Sequence, residues 1–401
     1  MSFQVFLDQP HVKTLIEHLQ SAQLEARFVG GCVRDALLGK SPYDIDLATP
    51  SPPDEIMQKL RKVAIKTYQV GRQHCTVVAP IEGRHVEITT LREDIVTDGR
   101  HAVVKFSNEW QLDAARRDFT INALYADFDG TIHDYHDGLS DLRAGHVRFI
   151  GDADARIAED YLRILRFLRF SARFAKGGID EKGLKACIAA HKSLARLSRE
   201  RIRQEFLGLC DQPYRHDIWQ ILITHKFMEY ILPGLDEQAI LRLRYWHEQS
   251  LEEPLSQFLS LGALLWNNPC AKSLLEGLRL SKAMVKKILE ILSAKPENFA
   301  PPMRALAHFH DLATASLALQ AQVLADTISS DHASTIRDDW RERGELPKFP
   351  LSGDDYNKAG IAKGVATGVI ERTMRDWWLS TNATADRDRC LQQLTVFVKE
   401  G

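Results

Sequence analysis

One short stretch, Phe28 to Thr49, places a Gly30-Gly31 pair, an Arg34-Asp35 pair and two alternating aspartates, Asp44 and Asp46, close together in the chain. The pattern predicts a strand over Glu25–Val29 and a helix over Cys32–Leu38, joined at the glycines. Gly30 and Gly31 suit a turn that needs positive φ and lets the backbone come close to a ligand. N–H groups at the helix start favour an anion, most simply a triphosphate, and Arg34 is placed to grip its oxygens as a fork. Asp44-Ile45-Asp46-Leu47 alternates polar and apolar as a half-buried strand does, which points both carboxylates to one side. Two close carboxylates repel unless a cation sits between them, and oxygen ligands of this kind suit Mg²⁺. Two such ions would activate an attacking hydroxyl and stabilise a leaving pyrophosphate. Alone, a Gly-Gly turn is commonly structural and an Asp-x-Asp is commonly a strand end or cap. In this order and this close, they point to nucleotidyl transfer.

Positioning these groups requires a sheet. After a helix starting at Pro53, strand-like runs at Cys75–Ala79 and His85–Leu91 flank the turn Pro80–Arg84. Glu87, in the second run, is either a third metal-site carboxylate on a neighbouring strand or an edge-strand surface charge. Glu93–Asn108 reads as a long polar loop containing Asp98-Gly99-Arg100-His101. Trp110–Asp127 follows, with Phe119, Ile121, Leu124 and Tyr125 at helical spacing behind Arg116-Arg117-Asp118. Adjacent arginines there are costly unless paired; a triphosphate would explain Arg117, and a salt bridge to Asp118 is the alternative. Phe128–Thr131 reads as a hairpin turn and Asp134–Arg148 as a Gly-punctuated loop, closing an α+β domain near residue 150. Residues 1–24 read as one amphipathic helix.

The chain has 401 residues, 44% hydrophobic and 26% charged, with net charge −2. That length implies about three domains. Bulk charge does not announce nucleic-acid binding, so any such site must be a local basic patch. The six cysteines are scattered with no Cys-x-x-Cys pair, which excludes a zinc or disulfide framework as the simple reading and fits reduced thiols in a cytoplasm. No apolar run is long enough to span a membrane, no secretory signal is recognisable, and no obligate protein partner is evident.

Beyond residue 150 the pattern is nearly all helical. A helix over Arg156–Arg173 carries five Arg against two acids. Arg163, Arg166, Arg169 and Arg173 share one face with Asp160, and a solvated salt-bridged face would interleave the signs more evenly. The row therefore reads as facing phosphates or bases. A second cluster is Arg196, Arg199, Arg201 and Arg203. His308-Phe309-His310-Asp311 lacks further spaced ligands and reads as helix surface. The Gly-rich turn Gly360–Gly368 is either a phosphate cradle or helix capping.

These residues carry a resemblance. GGCVRDALLG…DIDLAT, RRDFTINAL, DYHDGLSDLRAGHVR, EDYLRILRFLRF and SRERIRQEF occur in the order and spacing of the class II tRNA nucleotidyltransferases, the CCA-adding enzymes, and of the related bacterial poly(A) polymerases. The match is close over roughly residues 25–210 and loose beyond. The resemblance implies an α+β fold: a polymerase-β-like nucleotidyltransferase head with a mixed sheet (1–150), a helical neck (151–210) and a helical body and tail (211–401). It implies Asp44 and Asp46 as Mg²⁺ ligands, Gly31, Arg34 and Arg117 at the triphosphate, and Asp160, Arg163, Arg166 and Arg169 at the incoming nucleotide. The implied activity is addition of the 3′-terminal CCA to tRNA from CTP and ATP; poly(A) synthesis, or an A-adding half of a split pair, is the alternative. The 93–108 segment resembles the flexible loop that full CCA-adding enzymes use in switching from C to A.

Base choice follows from donor and acceptor patterns. Cytosine and adenine both present an amino donor beside a ring-nitrogen acceptor, whereas guanine and uracil present a carbonyl beside an N–H. A carboxylate only accepts and a guanidinium only donates. Asp160 with Arg163 would thus complement C and A, and a wrong base would leave buried polar groups unpaired at about 1–3 kcal/mol each.

Overall fold

The computed structural model describes residues 3–400 except 43, 71–74, 98–101, 214, 236, 250–255, 300–301, 304–311, 344–346 and 362–364. The expectations for Asp98–His101 and His308–Asp311, and part of the Gly360–Gly368 turn, lie outside the described residues. The chain divides into two compact units, residues 1–209 with 217–231 and residues 210–216 with 232–401.

The first unit is α+β, as expected. It opens with two helices, α1 (Gln4–Leu7) and α2 (Pro10–Ser21), rather than one, because Pro10 at a helix start lacks the N–H needed to continue α1. A seven-stranded sheet follows: β1 (Arg27–Val29), β2 (Ile45–Thr49), β3 (Tyr68–Val70), β4 (Thr76–Ile81), β5 (Arg84–Thr90), then β8 (Leu124–Ala126) and β9 (Ile132–Asp134). Its order is β3-β4-β5-β2-β1-β8-β9. Only β2 and β5 run parallel, which makes the sheet mixed. β4 continues through Pro80, and the β4–β5 turn shrinks to Glu82-Gly83, both at positive φ, the conformation that matches strand twist in a hairpin.

Register sorts the side chains onto two faces. Phe28 pairs with Leu47 and Ala126, and Leu47 with Ile88; this face is covered by Phe3 and Phe6, whose rings lie 6.2 and 5.2 Å from Phe28. Val29 pairs with Tyr125 and Asp46 with Glu87, on the opposite face. There Val29, Ala48 and Tyr125 join Leu91, Ala114, Ala123 and Ile150 in a buried core under α5 (Trp110–Ala115).

Three predicted segments take other forms. The 93–108 segment is largely a hairpin, β6 (Arg92–Thr97) with β7 (Ala102–Phe106), so pairing between its two halves orders what the polar composition suggested was a loop. Trp110–Asp127 is not one helix. Asp118 accepts from the backbone N–H of Phe119 (2.8 Å) and the amide of Asn122 (3.0 Å), local bonds that compete with the helical ladder. The apolar residues then pass through a 3₁₀ turn, Thr120–Asn122, into β8. The 134–148 segment contains α6 (Gly138–Ala144), laid against that turn: Thr120 Oγ1 donates to Asp141 at 2.6 Å. A Cβ at Gly138 would lie 2.2 Å from the Thr120 carbonyl oxygen. Gly138→Ala should therefore lower stability by about 3 kcal/mol, the range of an overpacked site whose neighbour is backbone. Gly277→Ala, with nothing within 4 Å of its Cβ position, should be near neutral; denaturant midpoints of the two variants check this.

The predicted helix over Arg156–Arg173 is two: α7 (Ala153–Glu159) and α8 (Leu162–Phe174). Asp160 is extended (φ −154°, ψ 108°) and its carboxylate accepts from the Leu162 N–H at 3.0 Å, which starts α8 afresh. α9 (Glu181–Ala190) and α10 (Arg199–Cys210) follow, and the helices His216–Thr224 and Met228–Ile231 return to the same unit. The second unit is helical in its described part, from Glu237–Gln249 to Arg387–Glu400, around buried Trp246 and Phe299. Among the described residues no helix is long and apolar enough to cross a membrane.

Candidate active site

Gly30 turns from β1 into α3 (Gly31–Leu37) at φ +71°. Gly31 is already helical, so only the first glycine needs left-handed backbone, a correction to the expectation for both. The Gly30 N–H donates to the Leu124 carbonyl at 3.0 Å, which pins the turn to β8. A Cβ at Gly30 would meet Arg117 Nη1 at 3.3 Å; the Arg117 guanidinium therefore sits directly against the turn.

Asp46 lies within β2, and Asp44 immediately precedes the strand and is exposed. In the parallel register Asp46 stands opposite Glu87 of β5, on one face and one strand apart. Its register therefore places Glu87 beside Asp46 on an interior strand and not on a sheet edge. Burial and then the neighbouring Glu87 push the Asp46 carboxyl up to about 6, with Asp44 adding to the rise and Arg117 opposing it. Such crowding of carboxylates is relieved by a cation, and the all-oxygen donor set fits Mg²⁺. Among the described residues no three His, Cys, Asp or Glu side chains close into an ion cage by themselves.

Arg117 is not paired with Asp118. Its Nη2 donates to Asp113 at 3.1 Å and its Nε to the Tyr125 hydroxyl at 3.1 Å. Tyr125 in turn donates to Asp113 at 2.6 Å, and Arg116 binds the other Asp113 oxygen at 2.6 Å. Asp113 is 1% exposed. Burial alone would raise its pKa, but Arg117 and Arg116 hold it down to about 2.

Arg34 is buried, its guanidinium over the rings of Phe174 (4.6 Å) and Phe170 (5.2 Å). Its Nε donates to Asp35 (2.8 Å) and its Nη1 to Asn122 (2.5 Å). One N–H each of Arg34 Nε and Nη1 is thus engaged within the protein. Its Nη2 lies 3.7 Å from a Cβ position at Gly31, so it brings positive charge beneath that helix start.

Each arginine in the basic row of α8 has a carboxylate partner. Arg163 binds Glu159 (2.5 Å), Arg166 binds Asp118 (2.6 Å), Arg169 binds Glu205 (2.6 Å) and Arg173 binds Asp35 (3.1 Å). The acids come from four places in the chain, so the signs interleave in space and not along the sequence. Asp160 and Arg163 do not share a helix face either: Asp160 sits in the α7–α8 break with one oxygen 2.7 Å from Arg201. In the second cluster, Arg199 caps the carbonyls of Tyr230 and Ile231 and Arg196 lies over the Tyr161 ring at 5.5 Å. These two and Arg201 hold the helices together.

Sequence reasoning missed Asp113, Asn122, Glu159 and Glu205, and weighed Asp118 only as a partner of Arg117, where it binds Arg166. Asp113 precedes Arg116 and Arg117 by three and four residues, and Glu159 precedes Arg163 by four, spacings that signal helical ion pairs. The other three act across long separations that no local pattern reveals.

Comparison with known proteins gives concordant results. The poly A polymerase head domain family matches residues 26–148, and the family described as a probable RNA and SrmB-binding site of polymerase A matches residues 178–239. The mitochondrial CCA tRNA nucleotidyltransferase 1 of Danio rerio is 32% identical over 393 residues, 95% of this chain and 89% of the relative. The human protein of the same name is also 32% identical, covering 96% and 89%. The CCA-adding enzyme of Leuconostoc citreum is 42% identical over 231 residues, 55% of this chain. The Bacillus stearothermophilus CCA-adding enzyme in complex with CTP aligns with a TM-score of 0.77 at 25% identity, covering 98% of each chain. The Thermotoga maritima CCA-adding enzyme complexed with tRNA shares the fold, with a TM-score of 0.64 at 18% identity.

Proposed function

The chain belongs to the CCA-adding tRNA nucleotidyltransferase family, and from that premise we propose that it builds and repairs the 3′-terminal CCA of tRNA from CTP and ATP. The observation that carries the chemistry is the register of Asp46 against Glu87 on the sheet face where Arg117 meets the Gly30 turn. Asp44 and Asp46 would hold Mg²⁺, with Glu87 beside them. When bound, the ion makes the attacking 3′-hydroxyl more acidic and neutralises charge on the triphosphate.

The protein's own groups bind and orient. Arg117, held by Asp113 and Tyr125, stabilises the triphosphate as the α-phosphate is attacked and pyrophosphate leaves. Gly31 offers backbone to the same oxygens, and Arg34 supplies charge from beneath. Asp160 accepts from the amino group of C or A, with Arg201 beside it at 2.7 Å. Arg163 donates to the ring nitrogen. Arg166 and Arg169, anchored by Asp118 and Glu205, flank the bound nucleotide. The head, neck and body divisions near residues 150 and 210 serve this division of labour, with the helical second unit taking part in tRNA binding. Six free cysteines, five of them buried, suit a reducing compartment such as the cytoplasm.

Arg163→Ala tests the base-reading step. Competition among the four NTPs on truncated tRNA should show discrimination relaxed by about tenfold or more, the equivalent of one lost buried hydrogen bond. Unchanged discrimination would refute it.

A further inference from the structure

Three helix ends meet around one side chain for which the reaction as described has no role. Arg156 lies in the last turn of α7, its side chain 12% exposed. Its Nη2 donates to the carbonyl oxygen of Arg116, and to that of Arg117 at 2.6 Å. Both carbonyls belong to the C-terminal end of α5, where carbonyls have no partner within the helix. Its Nη1 donates to Glu159 at 2.6 Å. The same Glu159 oxygen accepts from Arg163 Nη1 at 2.5 Å, and that nitrogen also donates to the Arg156 carbonyl at 2.7 Å. Arg163 Nη2 lies 3.5 Å from the Arg116 carbonyl. Arg156 Nε is buried with no hydrogen-bond partner among the described residues, so every bond this guanidinium makes runs to the junction.

The geometry points to Arg156 as a positioning residue that sets the distance between the group at the triphosphate, Arg117, and the group at the base, Arg163. This inference rests on the base-reading role proposed above for Arg163. A nucleotide has a nearly fixed span from its phosphates to its Watson–Crick edge. A protein that reads the edge by hydrogen bonds must hold both ends in register to a fraction of an ångström. Arg117 is fixed on the head by Asp113 and Tyr125, whereas Arg163 opens a neck helix after a break in the chain. The Arg156 guanidinium bridges them, gripping the Arg117 backbone on one side and the carboxylate that orients Arg163 on the other. Its planar fork reaches two carbonyls and a carboxylate together; an ammonium group is a point charge and cannot reproduce that geometry.

Arg156→Lys in the full-length protein is the test. Single-nucleotide incorporation is measured with each of the four NTPs, on tRNA lacking the whole CCA and on tRNA lacking only the final A. Inhibition by inorganic pyrophosphate and the thermal melting curve are recorded alongside. The ratio of kcat/KM for CTP and ATP over GTP and UTP should fall by about tenfold or more, as in Arg163→Ala. Pyrophosphate inhibition should stay within about twofold of the parent, and melting should be little changed. An unchanged ratio in Arg156→Lys, with Arg163→Ala relaxed, would overturn the inference, as would an equal loss for all four NTPs. Unchanged ratios in both variants would overturn the base-reading proposal and this inference with it. Should Arg156→Lys fail to fold, Glu159→Gln breaks the bridge at its shared carboxylate. The same relaxed ratio is then expected, and an unchanged one overturns the inference.

Discussion

Asp46→Asn should slow nucleotide addition by about 10³-fold or more, because a bound ion contributes several kcal/mol to the transition state and each 1.36 kcal/mol is tenfold in rate. The replacement keeps the size of the side chain and removes one charge. Asp46 is the residue of the pair inside the strand, opposite Glu87 and facing Arg117. Binding of tRNA, measured by filter retention at fixed salt, should be close to that of the parent, since the lost group is proposed to hold the ion and not the tRNA. A second readout separates this account from simple misfolding. Asp46 and Glu87 repel across adjoining strands, so without divalent cations Asp46→Asn should melt no lower than the parent. Added Mg²⁺ should raise the melting temperature of the parent and leave that of the variant nearly unmoved. A variant of undiminished activity would remove Asp46 from the metal site.

Asp113→Asn should destabilise the first unit by about 3 kcal/mol at neutral pH. Removing one partner of a buried ion pair leaves uncompensated buried charge, and here two guanidiniums lose the same anion. The pH dependence fixes the sign. The Asp113 carboxyl titrates at about 2 in the folded protein, below its unfolded value of about 4. A depressed carboxyl contributes stability that is fully present above the unfolded pKa and is lost as pH falls through the folded one. The gap between parent and variant should therefore be constant from neutral pH down to about 4 and narrow toward about 2. Denaturant unfolding at several pH values checks this; a gap that widened in acid would contradict it. Because Asp113 also aims Arg117, the variant should lose activity even where it is folded, with the loss showing in the response to triphosphate.

The stretch from β1 to β2 was legible because its determinants are local: a glycine needed at positive φ, an apolar strand before it, and an alternating strand after it. The family resemblance was equally legible, since five motifs in order leave little room for another reading. Much of the rest was set by contacts distant in sequence. Phe119, Ile121, Leu124 and Tyr125 have helical spacing, yet pairing of β8 with β1 and the bridge from Phe119 to Phe149 override that periodicity. The arginines of α8 appeared unpaired because Asp35, Asp118 and Glu205 lie up to 138 residues away along the chain. Glu159, four residues before Arg163, was the exception that could have been read. Asp160 seemed to belong to one long helix because a side chain that caps the following turn leaves no gap in the apolar pattern.

The most direct test of the central claim is the sequence of the product that the pure protein makes on tRNA ending before its CCA, with all four NTPs present and no other nucleic acid. Addition of C, C and A followed by a stop is expected, by the same protein and without a template. A long tail of A alone would contradict it and identify a poly(A) polymerase, and incorporation of G or U at the rate of C and A would contradict base reading by Asp160 and Arg163.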